Sequence, residues 1–165
     1  MKGAISYIPF PVVCFISIVL QTTLLSSKNL GSFQPDLNLV LAVFIGLFIG
    51  GGVGFIYALW NGFLIDVFSG YMLGAFSLSR LSLFFVLRSL SDYMYVRGKV
   101  AQGTSIYLGT LFSLGFTWLA LEMVASQASS VDFSLMHLAI QAFINTILGI
   151  PIFQIFEKVY ARVQE

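Results

Sequence analysis

The sequence predicts an all-α integral membrane protein with six transmembrane helices. Three observations support this class: six long apolar stretches, a composition that is 58% hydrophobic and only 9% charged, and cations that gather at one set of helix ends. About 20 apolar residues, each adding about 1.5 Å of helix, cross the ~30 Å hydrocarbon core of a bilayer. We expect one domain over 1–165, with spans at about 8–26, 37–50, 53–68, 72–90, 104–126 and 134–156.

The first apolar stretch is predicted to remain as a helix and not to be cleaved as a secretory signal. It runs from Ile8 to Leu25 and is followed by Ser-Ser-Lys-Asn, which does not resemble a small-residue cleavage site. Cys14 lies within it and is the only cysteine, so neither an internal disulfide nor a multi-cysteine metal site is expected. No metal or cofactor is predicted.

The second and third spans meet at Gly50-Gly51-Gly52-Val53. A continuous helix over 37–68 would be about 48 Å long, which is more than tilting in a bilayer absorbs. The glycines favour a tight turn instead.

The cations predict the orientation. They fall mostly on one side of the predicted spans, which places both termini in the cytoplasm and suits anionic lipid head groups. The net charge of +1 is spread thinly, so no nucleic-acid surface is expected. The cations on the cytoplasmic side are Lys2, Arg88, Arg97, Lys99, Lys158 and Arg162, with Lys28 outside and Arg80 within a span.

Small residues at every fourth position predict close helix packing, because hydrophobic burial does not drive helices together in lipid. Gly54 and Gly62 belong to such a ridge in the third span, and Gly46 and Gly50 to one in the second. We expect these two helices to pack tightly on each other as a hairpin.

The sixth span carries a polar stripe through half the bilayer, formed by His137, Gln141 and Asn145. Lipid cannot satisfy such side chains, so the stripe must face protein, water or a solute. Two interpretations stay open: hydrogen bonds between helices, or binding of a solute or partner. His137 stands alone and is a poor metal ligand candidate.

Arg80 lies within the fourth span, where an unpaired charge is costly, so a partner is expected. Asp66 ends the third span only a short loop away, and we predict an Asp66–Arg80 pair. The alternative is that Arg80 reaches lipid phosphates. Asp36 begins the second span, where a carboxylate suits the positive end of a helix.

No enzyme is predicted. The sequence contains no phosphate-binding loop and no H-E-x-x-H zinc motif. An intramembrane aspartyl protease that uses Asp36 and Asp66 is disfavoured, because both residues lie at helix ends rather than in mid-bilayer.

Residues 34–90 carry an ordered set of motifs: Gln34-Pro35-Asp36-Leu37, a glycine-rich turn at 46–54, Gly54-Phe55, Asn61-Gly62-Phe63-Leu64-Ile65-Asp66 and Tyr71-Met72-Leu73-Gly74-Ala75. This order of motifs resembles MreD, the small rod-shape-determining membrane protein family of bacteria.

The resemblance implies a non-enzymatic scaffold that binds MreC in the complex for lateral peptidoglycan synthesis, alongside MreB filaments and RodA with its penicillin-binding partner. It also implies a bundle similar to the substrate-binding subunits of energy-coupling-factor transporters. The alternative function is therefore a solute-binding subunit of a vitamin-type transporter. Those subunits dock on their energising module through small-xxx-small motifs in the first helix. The first helix of this sequence does not contain such a motif, which favours the scaffold function.

The topology can be tested with reporters. We expect a reporter fused after Glu165 or inserted at Gly98 to read cytoplasmic, and one inserted near Ser129 to read external, because of the side on which the cations fall. Alkaline phosphatase and fluorescent-protein fusions measure this. A cytoplasmic signal near Ser129 would contradict six spans.

Overall fold

The computed structural model describes residues 9–21, 35–69, 74–91, 93, 98–124 and 135–164. These residues form helices without a strand among them, which confirms the all-α class. The helices are α1 (Pro9–Leu20), α2 (Leu37–Phe48), α3 (Gly51–Ser69), α4 (Ala75–Ser91), α5 (Lys99–Val124) and α6 (Leu135–Gln164).

Among the described residues, two helical segments are long and apolar enough to cross a membrane, α3 and Leu138–Val159 of α6, while α1 and α2 are apolar but shorter. The helices lie close to the predicted spans, except that α5 begins five residues earlier, at Lys99, and α6 continues about two turns further, to Gln164. The predicted outer connections are 27–36, 69–71 and 127–133, and all of their residues except 35, 36 and 69 lie outside the described residues, as do Lys2, Lys28 and Arg97.

Helix α2 is the centre of the bundle. Every residue from Asn38 to Leu47 is buried, and each of the other five helices packs against α2. A helix that is apolar all round belongs in such a position. Its 12 residues make it shorter than α3, α5 and α6, and its neighbours enclose it on all sides.

Aromatic side chains fill the half of the bundle next to the α2–α3 turn. Phe44 of α2 lies against Phe48, Phe10 of α1 and two rings of α6, Phe153 and Phe156, with ring centroids 5.0–6.0 Å apart. Offset and edge-on ring contacts of this kind add to the packing energy. The cluster ties α1, α2 and α6 together.

The turn between α2 and α3 confirms the sequence expectation. Only Ile49 and Gly50 separate the two helices, and Gly51 adopts a positive φ of 70°. This backbone conformation is open to glycine at little cost. The chain therefore reverses direction here without a long helix.

The small-residue ridges do not pack on each other as predicted; both pack on α4. A Cβ at Gly46 would lie 2.9 Å from Leu87, and one at Gly62 would lie 2.5 Å from the Ser77 Cα atom. Both neighbours belong to α4, which packs far more closely on α2 and α3 than these two do on each other. The hairpin helices diverge after their short turn, and α4 fills the space between them.

The outer surface is apolar, whereas the interior holds polar side chains. Large apolar side chains are exposed on the five helices that surround α2, including Phe15, Ile56, Phe63, Phe85, Phe112, Phe143 and Ile147. Buried polar side chains include Asn38, Asn61, Arg80, Gln102, Ser113 and Asn145. Large exposed apolar side chains together with buried polar ones are uncommon in a water-soluble bundle.

Gly62→Ala should lower the free energy of unfolding by about 1–3 kcal/mol, because the new methyl group meets backbone of α4 and must push the helix away. Gly52→Ala is the matched control, since a Cβ there meets nothing within 4 Å. Thermal unfolding in detergent measures both. Equal stability of the two variants would contradict the close α3–α4 approach.

Candidate functional site

The candidate site is built around the first residues of α2, which begin inside the bundle and not at its edge. Asp36, the N-cap of α2, contacts Arg80 and Asn145. Arg80 lies five residues into α4 and Asn145 ten residues into α6, which are depths of about 8 and 15 Å along these helices. The free N–H groups and positive dipole of α2 are thus held away from bulk water, where they need polar partners.

Asp36 makes three hydrogen bonds at this start of α2. Its Oδ1 atom accepts a hydrogen bond from the backbone N–H of Leu39 at 2.9 Å, which caps the helix. Its own backbone N–H donates to Oδ1 of Asn145 at 2.8 Å. Its Oδ2 atom accepts from Nη2 of Arg80 at 2.5 Å, in an ion pair whose side chains are 22% and 2% exposed.

Arg80 is held from the opposite side by serines. Its Nη1 donates to Oγ of Ser113 on α5 at 2.8 Å, and Ser79 donates to the carbonyl oxygen of Ser113 at 2.9 Å. Nε of Arg80 has no hydrogen-bond partner among the described residues. A guanidinium in this position is stabilised by the Asp36 charge and by Oγ of Ser113.

A row of amides extends the site from Asp36 towards the middle of α3. Gln21, directly after α1, donates to the carbonyl oxygen of Pro35 at 2.9 Å and accepts a short hydrogen bond from Nδ2 of Asn38. Oδ1 of Asn38 accepts in turn from Nδ2 of Asn61 at 3.3 Å. The same Asn61 nitrogen lies 3.5 Å from Sγ of Cys14 on α1.

The network reaches all six helices. On the remaining side, Nδ2 of Asn145 donates to Oγ1 of Thr110 on α5 at 3.5 Å. Side chains of α1 or its following residue, α2, α3, α4, α5 and α6 therefore share one connected set of hydrogen bonds. We call this set the six-helix network: Cys14, Gln21, Asp36, Asn38, Asn61, Ser79, Arg80, Thr110, Ser113 and Asn145.

The predicted Asp66–Arg80 pair is wrong. Asp66 is buried and accepts from the backbone N–H groups of Phe76 and Ser77 at 2.9 and 3.0 Å, and from the Ser77 hydroxyl at 2.5 Å. It therefore caps α4, whose first turn lies directly on Gly62. Asp66 satisfies the start of α4, while Arg80 is one turn deeper and faces α2 and α5.

The Gly-x-x-x-Asp motif thus has a structural explanation. Gly62 allows the start of α4 to approach α3, and Asp66 one turn later binds the N–H groups that this approach brings within reach. A Cβ at Gly54, nearer the turn, would lie 1.9 Å from the Ile49 carbonyl oxygen and 2.7 Å from Cε2 of Phe84, so this glycine allows α3 to approach both the turn and α4. Both glycines are buried.

The polar stripe of α6 faces the bundle where it is described. Asn145 is buried and Gln141 is half-buried, while the side chain of His137 lies outside the described residues. The two bonds of Asn145 favour the interpretation of this stripe as inter-helical hydrogen bonding. Sequence reasoning did not identify Gln21, Asn38, Ser79 and Thr110, although polar residues within predicted apolar spans were a usable signal.

The chemistry of the site is hydrogen bonding and charge neutralisation. Asp36 and Asp66 bind separate sets of donors, so they do not form a carboxylate pair that shares a proton. Among the described residues there is no group of three or more His, Cys, Asp or Glu side chains that could hold a metal ion.

Comparison with known proteins identifies no relative: the chain matches no family model, no curated protein and no solved structure.

A double-mutant cycle tests the ion pair. Asp36→Asn and Arg80→Met should each lower the free energy of unfolding by about 3 kcal/mol, since each leaves one charge buried and unpaired. The double variant should lose less than the sum, because it leaves neither charge behind. Denaturant unfolding in mixed micelles measures these values.

The control cycle combines Asp66→Asn with Arg80→Met. Asp66 binds the start of α4 and not Arg80, so these two losses should be nearly additive. A larger coupling for Asp66 with Arg80 than for Asp36 with Arg80 would contradict the assignment of partners.

Proposed function

We propose that this chain is a membrane scaffold similar to MreD that crosses the bacterial cell membrane six times. In this proposal it binds an MreC-like protein and supports lateral peptidoglycan synthesis and rod shape. MreB and the RodA/penicillin-binding protein pair are the further partners. It acts without catalysis of its own.

The observation that carries the proposal is the six-helix network under an apolar exterior. Helices with exposed Phe, Ile and Leu side chains suit contact with lipid, and an interior of amides, serines and one ion pair holds them together where hydrophobic burial does not. The polar groups bond mainly to one another. A scaffold needs such a fixed internal arrangement, whereas a solute-binding site needs groups free to bind the solute.

The distribution of charge supports the orientation with both termini in the cytoplasm. Arg88 and Lys99 lie at adjacent ends of α4 and α5, and Gln102 donates to Glu157 at 2.9 Å, which brings Lys158 of α6 to the same end. These three cations are exposed. The exposed Glu122 lies near the opposite end of α5. Cations at one end of a bundle are typical of the cytoplasmic side.

Arg88 also lies against the α2–α3 turn. A Cβ at Gly50 would lie 2.8 Å from Cζ of Arg88, so the guanidinium covers the end of α2. A cation next to a helix C-terminus is favourable. The turn and the cations thus belong to the same end of the bundle, as the proposed topology requires.

Depletion of this protein in its own rod-shaped host should turn the cells round, and the purified protein should bring down an MreC-like protein in mild detergent. Asp36→Asn and Arg80→Met should reduce both the amount of folded protein and the rescue of shape, whereas Gly52→Ala should rescue fully. Cell-shape imaging and quantitative co-purification per folded molecule measure this.

Normal shape together with lost uptake of a vitamin would contradict the scaffold and support the transporter subunit. The neighbouring genes give an independent check, since genes for MreB and MreC favour the scaffold and genes for a transporter ATPase pair favour the alternative.

A further inference from the structure

The side-chain oxygen of Asn61 is buried without a hydrogen-bond partner among the described residues. Asn61 is 0% exposed and lies ten residues into the 19-residue α3, at the middle of this helix. An amide oxygen that is withdrawn from water and left unbonded costs roughly 1–3 kcal/mol. The position therefore calls for a hydrogen-bond donor.

Exchanging the nitrogen and oxygen of the Asn61 amide does not give its oxygen a donor. The orientation of this amide is determined by the hydrogen bonds that begin at Pro35, at the other end of the amide row. The Pro35 carbonyl oxygen can only accept, so Gln21 must turn its nitrogen towards it. The oxygen of Gln21 then faces Asn38, which must donate to it. The oxygen of Asn38 is left to accept from Asn61.

A reversed Asn61 would set its oxygen against the oxygen of Asn38. Reversal of the whole row would set the oxygen of Gln21 against the Pro35 carbonyl and the ionised Asp36, whose Oδ1 lies 3.4 Å from the nitrogen of Gln21. The hydrogen bonds of the row thus have one direction. The oxygen of Asn61 is therefore the last acceptor of the row.

The missing donor must be small and neutral. Three small residues lie near Asn61: Cys14 contacts it from α1, Ala58 lies one turn earlier on the same face of α3, and Gly62 follows it in the chain. One amide oxygen and one thiol are too few and too weakly charged to hold a metal cation. They do provide the two polar partners that a buried water needs at minimum.

We propose that Asn61 and Cys14 bind a single internal water between α1 and α3. The water donates to Oδ1 of Asn61 and makes its second hydrogen bond with the Cys14 thiol. It completes the amide row that begins at Pro35 and Asp36. This site is independent of the scaffold function, because it follows from the direction of the hydrogen bonds alone.

Radical footprinting tests the site. A short X-ray pulse splits water into hydroxyl radicals, and a radical formed from a bound water oxidises the side chain beside it. Cys14 has an exposure of 0% and one of the most easily oxidised side chains, so it reports directly on this water. The full chain is placed in lipid nanodiscs, equilibrated with heavy-oxygen water, pulsed, and analysed by mass spectrometry for labelled Cys14.

Two variants and two internal references sharpen the test. Asn61→Leu removes the acceptor, and Ala58→Val adds two methyl groups one turn away on the same face of α3, at a residue outside the amide row. The exposed Met123 and Met136, near the ends of α5 and α6 that the cations do not occupy, report the radical dose and the fold in the same molecule. Labelling of Cys14 is expressed relative to these methionines.

We expect Cys14 to be labelled in the wild-type chain, and labelling to fall several-fold in both variants while the methionines react as before. If Asn61→Leu does not fold, Ala58→Val decides the question. Absence of label on wild-type Cys14 would overturn the proposal. Unchanged labelling in a folded variant would overturn it as well, because the oxidation would then come from a different source of radicals.

Discussion

The burial of the α2 N-terminus is the constraint on which the rest of the interior depends. A helix that starts inside the bundle places unbonded N–H groups and the positive end of its dipole there. The Asp36 carboxylate accepts a hydrogen bond from one of these N–H groups and its negative charge is favourable next to the dipole. A carboxylate in that position needs a cation, which Arg80 supplies from α4. Arg80 in turn needs Ser113 of α5, and the Asp36 N–H needs Asn145 of α6. Each of these polar groups thus requires a partner, and another helix supplies it.

Close backbone approach is what allows these partners to meet. Gly46 and Gly62 let α4 lie in contact with both α2 and α3, and the Asp66 carboxylate binds the first N–H groups of α4 in that position. Larger residues at either glycine would move α4 outward and carry Arg80 away from Asp36. The small-residue ridges therefore serve the ion pair as well as the packing, because Arg80 lies on the same face of α4 as Leu87, seven residues later, which meets Gly46.

The division between an apolar exterior and a bonded interior relates structure to the proposed function. In lipid, a shared network of hydrogen bonds holds helices in one relative arrangement more specifically than apolar contact does. The aromatic cluster around Phe44 near the α2–α3 turn and the polar network around Asp36 fix α2 at both ends. A partner protein would then meet a surface whose shape is set from within, as a scaffold requires.

The sequence by itself determined the helix number and class, the approximate helix ends, the turn at Gly50 and Gly51, and the cations at one end. Each of these follows from local composition and periodicity. It also showed that Arg80 needs a partner, but it favoured Asp66 because that residue is near in the chain. Only the tertiary structure identifies Asp36 as the partner of Arg80. Asp66 is occupied by the start of α4, while the short α2 places Asp36 deep enough to meet a guanidinium one turn further along.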